Sequence, residues 1–226
     1  WTAEGSPLVS IAQKQKNKLA ELFAQEGHAD ITFALAMRYG NPDITSALCQ
    51  LAKENVHKVL VLPTYAQYSG STTASIFDAI SSELRHWRWI PELRFINSYH
   101  DQPLHIQALA DSVRSYWQSH AKGKKLLMSF HGLPKVYRQK GDPYFCQCHK
   151  TARLLAENLQ LEENEWTITF QSRFGKQEWL KPYTSETLIE LAQQGIDTVD
   201  VICPGFAIDC LETLEEIMVE NRDIFL

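Results

Sequence analysis

The chain has 226 residues, a formal net charge of −5 and 44% hydrophobic residues. That is enough apolar sequence for a buried core, so we do not expect an intrinsically disordered protein. The acidic balance leaves no basic stripe to neutralise phosphates, so nucleic acid is not expected as a partner. Apolar runs are no longer than a strand, and residues 1–5 lack a basic start and an apolar core. Neither a transmembrane helix nor a signal peptide is therefore predicted.

The chain contains five cysteines at irregular spacing. An odd set in a chain of this length is typical of reduced thiols in a cytosolic protein. Two of them form the sequence Cys146-x-Cys148-His149, which looks like part of a metal site. We interpret it as incidental, because the ligands are too few and the spacing matches no common zinc site.

Strand-like and helix-like segments alternate along the chain, beginning with a helix that Ser6 and Pro7 can start. In chain order, we predict a helix at 8–25, a strand at 30–37, a helix at 43–54, a strand at 56–62, a helix at 74–86, a strand at 92–96, a helix at 103–120, a strand at 126–130, a helix at 142–159, a strand at 166–171, a helix at 185–194, a strand at 198–203 and a helix at 209–221. This alternation predicts an α/β fold with parallel sheets flanked by helices. We favour two similar halves with a cleft between them over a single sheet.

The stretch from Lys125 to Tyr144 is the most informative part of the sequence. A buried strand ends on His131, after which Gly132 and Pro134 begin a polar loop. Ligands of open α/β sheets bind beyond the carboxyl ends of the strands, so this imidazole stands where such folds place their chemistry. The alternative is a structural histidine that bonds to one backbone group.

Polar side chains also follow other strands and lie on the final helix. The strand-end residues are Arg38, Tyr39, Tyr65 and Gln171-Ser172-Arg173. On the final helix, Asp209, Glu212 and Glu216 are spaced i, i+3, i+7 and would share one face. Such a row could bind a cation or relay protons. Helix capping is the alternative for the first two carboxylates, but it does not explain Glu216, two turns into the helix.

The sequence has no dinucleotide fingerprint, P-loop or serine nucleophile elbow. Five other motifs occur in order along the chain. They are AMRYGNP at 36–42, LPTYAQYSGSTT at 62–73, SFHGLP with KGDPY at 129–134 and 140–144, FQSRFG with WLKP at 170–175 and 179–182, and PGFAIDCLETLEEI at 204–217. In these motifs and their order, the chain resembles the ferrochelatases, the enzymes that insert ferrous iron into protoporphyrin. The resemblance is to the bacterial form of the family and covers nearly the whole chain.

The resemblance implies two similar Rossmann-like, chelatase-type domains, each a parallel sheet flanked by helices, with a porphyrin cleft between them. Residues 1–100 would form the first half, 101–208 the second half, and 209–226 a final helix packing back over the cleft. Relative to the family, the chain lacks an N-terminal segment with the first strand and a covering loop, and it lacks the C-terminal end. It also lacks an initiator Met. We therefore expect a truncated enzyme.

The resemblance also implies roles for the polar residues. His131 would stand at the metal-insertion site, with Glu212 as its acidic counterpart across the cleft. The residues that could contact the metal, including an acidic path towards that site, would be His131, Glu212, Asp209 and Glu216. The residues near the porphyrin would be Arg38, Tyr39 and Tyr65.

The implied reaction joins Fe(II) and protoporphyrin IX to give protoheme with release of two protons, the last step of heme biosynthesis. Iron is the substrate and does not change valence, so we expect no cofactor. Some family members carry a C-terminal iron–sulfur cluster, but the Cys146/Cys148 pair is not that motif and no cluster is expected on this chain. The expected location is the cytoplasm. Peripheral contact with the inner membrane and the oligomeric state stay open.

Imidazole titrates near neutral pH and could accept a pyrrole proton or bind the metal, while carboxylates suit a hydrated cation in transit. The sequence does not divide these roles between His131 and Glu212. Two alternatives stay open: a chelatase for another metal or tetrapyrrole, such as a cobaltochelatase, and a non-catalytic tetrapyrrole- or sugar-binding protein. Metal preference in an insertion assay would distinguish the first alternative from a ferrochelatase. The second predicts that His131→Ala leaves function intact.

Overall fold

The computed structural model describes residues 5–226, which fall into two compact units. The first unit holds the described residues up to Pro63 together with Ser71–Asn97. The second unit holds Thr64–Gly70 together with Ser98–Leu226. The segment Thr64–Gly70, which the sequence-based division assigns to the first half, therefore belongs with the second unit. The placement of residues 209–226 over a cleft stays a prediction.

The first unit is a pair of parallel strands covered by helices. Its elements are α1 (Pro7–Gln25), α2 (Ile44–Lys53), β1 (Lys58–Val61), α3 (Thr73–Leu84) and β2 (Glu92–Phe95). Strand β1 pairs with β2 in parallel, with Lys58 opposite Glu92. A buried cluster of Leu48, Ile80 and Leu84 packs α2 and α3 together and against the sheet. These five elements confirm the helices and strands predicted at 8–25, 43–54, 56–62, 74–86 and 92–96, with bounds that differ by a few residues.

The predicted strand at 30–37 is wrong. From Thr32 to Met37 its residues alternate between exposed and partly buried side chains, as in a strand with one covered face. They form no ladder with another strand in the part of the chain that the structure describes, and only Met37 makes an isolated bridge, with Asp43. A strand is stabilised by the ladder with its neighbour, and local alternation alone does not supply that neighbour.

The second unit is a three-stranded parallel sheet in the order β4–β3–β5, with helices packed against it. Its elements up to the last strand are α4 (Pro103–Ser119), β3 (Lys125–His131), α5 (Lys135–Gln139), α6 (Tyr144–Leu159), β4 (Trp166–Gln171), α7 (Thr184–Gln193) and β5 (Val199–Ile202). The core contains Phe130 and Phe170 from the central and edge strands and Leu155 from α6. The α/β class with parallel sheets is confirmed, and α5 is a short helix in a region predicted as a loop.

The final helix is a π-helix, Glu212–Asn221, that continues into the short helix α8 (Arg222–Phe225). The predicted start at residue 209 is wrong, because Asp209 lies before the first helical turn. The Arg222 N–H donates to the carbonyl of Ile217, five residues earlier. The carboxylate spacing predicted for an α-helix therefore does not describe this helix, whose turns are wider. π-Helical turns are rare and occur frequently at functional sites.

The part of the chain from residue 5 to residue 226 contains no helix that is both long and apolar enough to span a bilayer.

Candidate functional site

His131 is the last residue of the central strand, opposite Gln171 of β4, and its side chain is partly buried. The His131 carbonyl accepts a hydrogen bond from the Tyr144 hydroxyl at 2.9 Å. The next N–H, of Gly132, donates to the Gln171 carbonyl at 2.8 Å. The backbone that carries the imidazole is therefore fixed on both sides at the carboxyl edge of the sheet.

The imidazole of His131 has a defined orientation. Its Nδ1 lies 2.6 Å from the Gly132 carbonyl oxygen. A carbonyl oxygen can only accept, so Nδ1 is the donor in this contact, and in the neutral ring Nε2 then presents a lone pair. The ring thus bonds to one backbone group, as the structural alternative supposes, and still has a nitrogen that can accept a proton or bind a metal.

Gly132 allows the loop after β3 to lie against its neighbour. A Cβ at this position would be 2.7 Å from the Gln171 carbonyl oxygen and 3.0 Å from Cε3 of Trp179. The loop also pairs with the chain before Tyr183, since the Leu180 N–H donates to the Leu133 carbonyl at 2.9 Å. This close packing explains why the loop needs a residue without a side chain directly after His131.

Gln171 connects the sheet to the final helix. Its side chain is buried, and its Oε1 accepts from the Ser129 hydroxyl at 2.6 Å. Its Nε2 donates to the Glu212 carbonyl oxygen at 2.8 Å and to Oε2 of Glu216 at 3.2 Å. Sequence reasoning found Gln171 only as a polar strand end, because partners 41 residues away leave no local pattern.

The acidic residues of the final segment have different surroundings. Glu216 accepts from the N–H of Ser172 at 2.6 Å and from its hydroxyl at 2.5 Å, so it is bound to the end of β4. Ser172 adopts a φ of 63°, which turns its N–H and hydroxyl towards this carboxylate. Asp209 is exposed and accepts from the Thr213 hydroxyl at 2.9 Å. Glu212 is partly buried in the first turn of the π-helix.

These acids and His131 do not form a closed metal site. Among residues 5–226, no group of three or more His, Cys, Asp or Glu side chains is arranged to hold a metal ion. The ligand set His131, Glu212, Asp209 and Glu216 therefore stays a prediction for a metal in transit.

Two cysteines near the final helix are protonated at neutral pH. Burial, followed by the nearby Cys210, Asp209 and Glu216, raises the pKa of Cys203 to about 12. Burial, followed by the interaction with Glu212, raises the pKa of Cys210 to about 11. A thiol must be deprotonated to act as a nucleophile or a strong metal ligand.

The predicted porphyrin contacts lie in both units. In the first unit, Arg38 donates through Nε to the Ser75 carbonyl at 2.9 Å and to the Ser75 hydroxyl at 2.8 Å. Its guanidinium lies 4.6 Å from the ring centre of Tyr39, which is 78% exposed. In the second unit, Tyr65 belongs to Thr64–Gly70 and is 38% exposed. Their meeting in one cleft stays a prediction.

The sequence matches the family model described as Ferrochelatase over residues 2–226. The chain belongs to the ferrochelatase family. It is 54% identical over 225 residues to the ferrochelatase of Thioalkalivibrio sulfidiphilus and 53% identical over 226 residues to that of Nitrosococcus oceani. In both cases the alignment covers 100% of this chain and 61% of the relative, so the chain spans about 61% of the length of the curated ferrochelatases it matches.

A solved structure has the same fold as this ferrochelatase-family chain. SirB from Bacillus subtilis with Fe3+ superposes with a TM-score of 0.64 and 14% sequence identity, covering 97% of this chain and 80% of that chain. The chelatase-type fold predicted from the sequence is thereby confirmed.

Proposed function

We propose that the full-length protein is a ferrochelatase, a lyase that inserts Fe(II) into protoporphyrin IX to give protoheme and two protons. The observation that supports it best is the 54% sequence identity with a curated ferrochelatase, in an alignment that covers 100% of this chain. The proposal makes this reaction the last step of heme biosynthesis, with ferrous iron and protoporphyrin as partners. It also includes a cytoplasmic location with peripheral contact to the inner membrane. No further cofactor is proposed, since iron enters as a substrate.

In this proposal the His131 Nε2 accepts a pyrrole proton or binds the incoming metal. The fixed Nδ1–H contact to the Gly132 carbonyl at 2.6 Å supports this role, because it leaves Nε2 as the acceptor nitrogen. Glu212 provides the opposing carboxylate. The acids proposed to guide the cation to these two groups are Asp209 and Glu216.

Arg38, Tyr39 and Tyr65 are proposed to contact the porphyrin. An exposed phenol such as that of Tyr39 can pack on an apolar ring, and an arginine can bind a carboxylate substituent. The Ser75 contacts of the Arg38 Nε support such a role, because they fix the direction of the guanidinium.

The test is a metal-insertion assay on the full-length protein and its His131→Ala and Glu212→Gln variants. Protoporphyrin metallation is followed anaerobically with Fe(II), and in parallel with Zn(II) and Co(II). A general acid or base contributes about 10²–10⁴-fold, so we expect each variant to lose at least about 10²-fold in rate. Porphyrin binding, measured by fluorescence, should persist.

The matched control is His120→Ala, which removes an exposed imidazole at the end of α4 and should leave the rate unchanged. Equal activity of His131→Ala and the parent would contradict the mechanism. Preference for Co(II), or for another tetrapyrrole, would favour the other chelatase. Porphyrin binding without metallation by any parent preparation would favour a binding protein.

A further inference from the structure

The KGDPY segment, residues 140–144, contacts two parts of the site that are far apart in sequence. The Asp142 Oδ2 accepts from the Gly70 N–H at 2.7 Å and from the Ser69 hydroxyl at 3.0 Å. Its Oδ1 accepts from the Tyr144 N–H at 3.0 Å. One carboxylate thus joins Thr64–Gly70, the segment that carries Tyr65, to the first turn of α6. Hydrogen bonds to a charged acceptor are stronger than neutral ones.

Tyr144 holds the other part of the site. Its side chain is 7% exposed, and its hydroxyl donates to the His131 carbonyl at 2.9 Å. A carbonyl oxygen can only accept, so the Tyr144 hydroxyl is the donor in this bond. The peptide that carries the imidazole is therefore bonded to the same helical turn that Asp142 joins to Gly70.

Further contacts from α6 support the Tyr65 segment. The buried Gln67 donates through Nε2 to the Thr151 hydroxyl at 3.0 Å. The Tyr68 N–H donates to Oε1 of Gln147 at 2.7 Å. These bonds place the segment on the N-terminal half of α6, and Asp142 fixes its last two residues.

We propose that Asp142 and Tyr144 are positioning residues that hold the Tyr65 segment and His131 on one support, the start of α6. The inference rests on the proposed function, in which Tyr65 contacts the porphyrin and His131 acts on the metal or the proton. Misplacing a reacting group by about 1 Å can lower the rate about 10²-fold. Because the start of α6 would position both Tyr65 and the His131 imidazole, a change there should alter the rate of metal insertion. Neither residue touches the substrate in this proposal.

The test uses Asp142→Asn in the full-length protein, with Glu157→Gln as the control. Glu157 is an exposed carboxylate on the same helix that pairs only with Arg153 at 2.6 Å among the described contacts. Hydrogen exchange is measured first, without porphyrin or metal. Losing a charge-assisted bond should speed exchange of the Gly70 amide about tenfold or more in Asp142→Asn. It should leave Glu157→Gln at the parent rate.

The second measurement is steady-state metallation. Asp142→Asn should raise the KM for protoporphyrin more than it lowers kcat, because it loosens the Tyr65 segment. Tyr144→Phe should lower kcat with little change in that KM, because it frees the His131 carbonyl. Thermal unfolding of each variant checks that it remains folded.

The results separate the two proposals. If the parent inserts no metal, the proposed function fails, while the exchange experiment still tests the contacts of Asp142. Unchanged exchange at Gly70 would overturn the inference. Faster exchange with parental KM and kcat in both variants would make these contacts structural only, and would also overturn the inference.

Discussion

Replacing Gly132 by alanine tests the packing directly after His131. The new Cβ would lie 2.7 Å from the Gln171 carbonyl oxygen, a backbone atom of a buried strand that cannot rotate away. Overpacking of this kind costs about 1–3 kcal/mol, and weakening the Gly132–Gln171 hydrogen bond adds about 1 kcal/mol. We therefore expect Gly132→Ala to lower the free energy of unfolding by about 2–4 kcal/mol.

Urea unfolding of the full-length protein, followed by circular dichroism, measures this change as a lower midpoint at an unchanged slope. The control is Gly70→Ala, whose Cβ would have a single neighbour at 3.5 Å, Oδ2 of Asp142. That variant keeps its N–H and should change stability by less than about 1 kcal/mol. Equal midpoints for Gly132→Ala and the parent would refute the argument, because they would mean that the loop can move away from β4.

Two further results are expected. Burial lowers the pKa of His100 against the opposing effect of Asp101, and burial followed by the charge of His100 lowers the pKa of His105. Below the ordinary histidine pKa of 6.5, the unfolded chain therefore binds more protons than the folded chain. Thermal stability should accordingly fall as the pH drops below this value. A His105→Leu variant whose stability declines equally steeply would contradict this prediction. Gln171→Met removes the bonds to Ser129 and the final helix, and should lower the free energy of unfolding by about 1–3 kcal/mol; an unchanged urea midpoint would show that these bonds are dispensable.

The elements that local pattern determines were predicted well. Strand β4 has the predicted bounds, Trp166–Gln171, because β-branched and aromatic residues alternate there between a polar turn and a loop. The segment at 30–37 shows an equally strand-like alternation and forms no ladder. The difference is that β4 has a neighbouring strand, β3, to pair with. Such a neighbour is supplied by the fold and is not encoded in the eight residues at 30–37.

The final helix shows a second limit of prediction from sequence. The spacing of its carboxylates predicts a shared face only if each turn has α-helical width, and the π-helical bonding from Glu212 to Asn221 changes that geometry. The Asn221 side chain donates to the Glu216 carbonyl at 2.7 Å, a contact that no α-helical spacing predicts. The position of His131 at a strand end was predicted from the sequence, and its role stays a prediction that the family resemblance implies. The residues that orient it, Gly132 and Tyr144, required the structure.

The chain passes between its two units at Pro63, at Gly70 and again at Asn97. No single cleavage can therefore release either unit intact. A fragment starting at Ser98 would lack Gln67 and leave the fully buried Thr151 hydroxyl without the amide that donates to it. Limited proteolysis or gene truncation at the apparent boundary would thus remove a buried contact from the second unit.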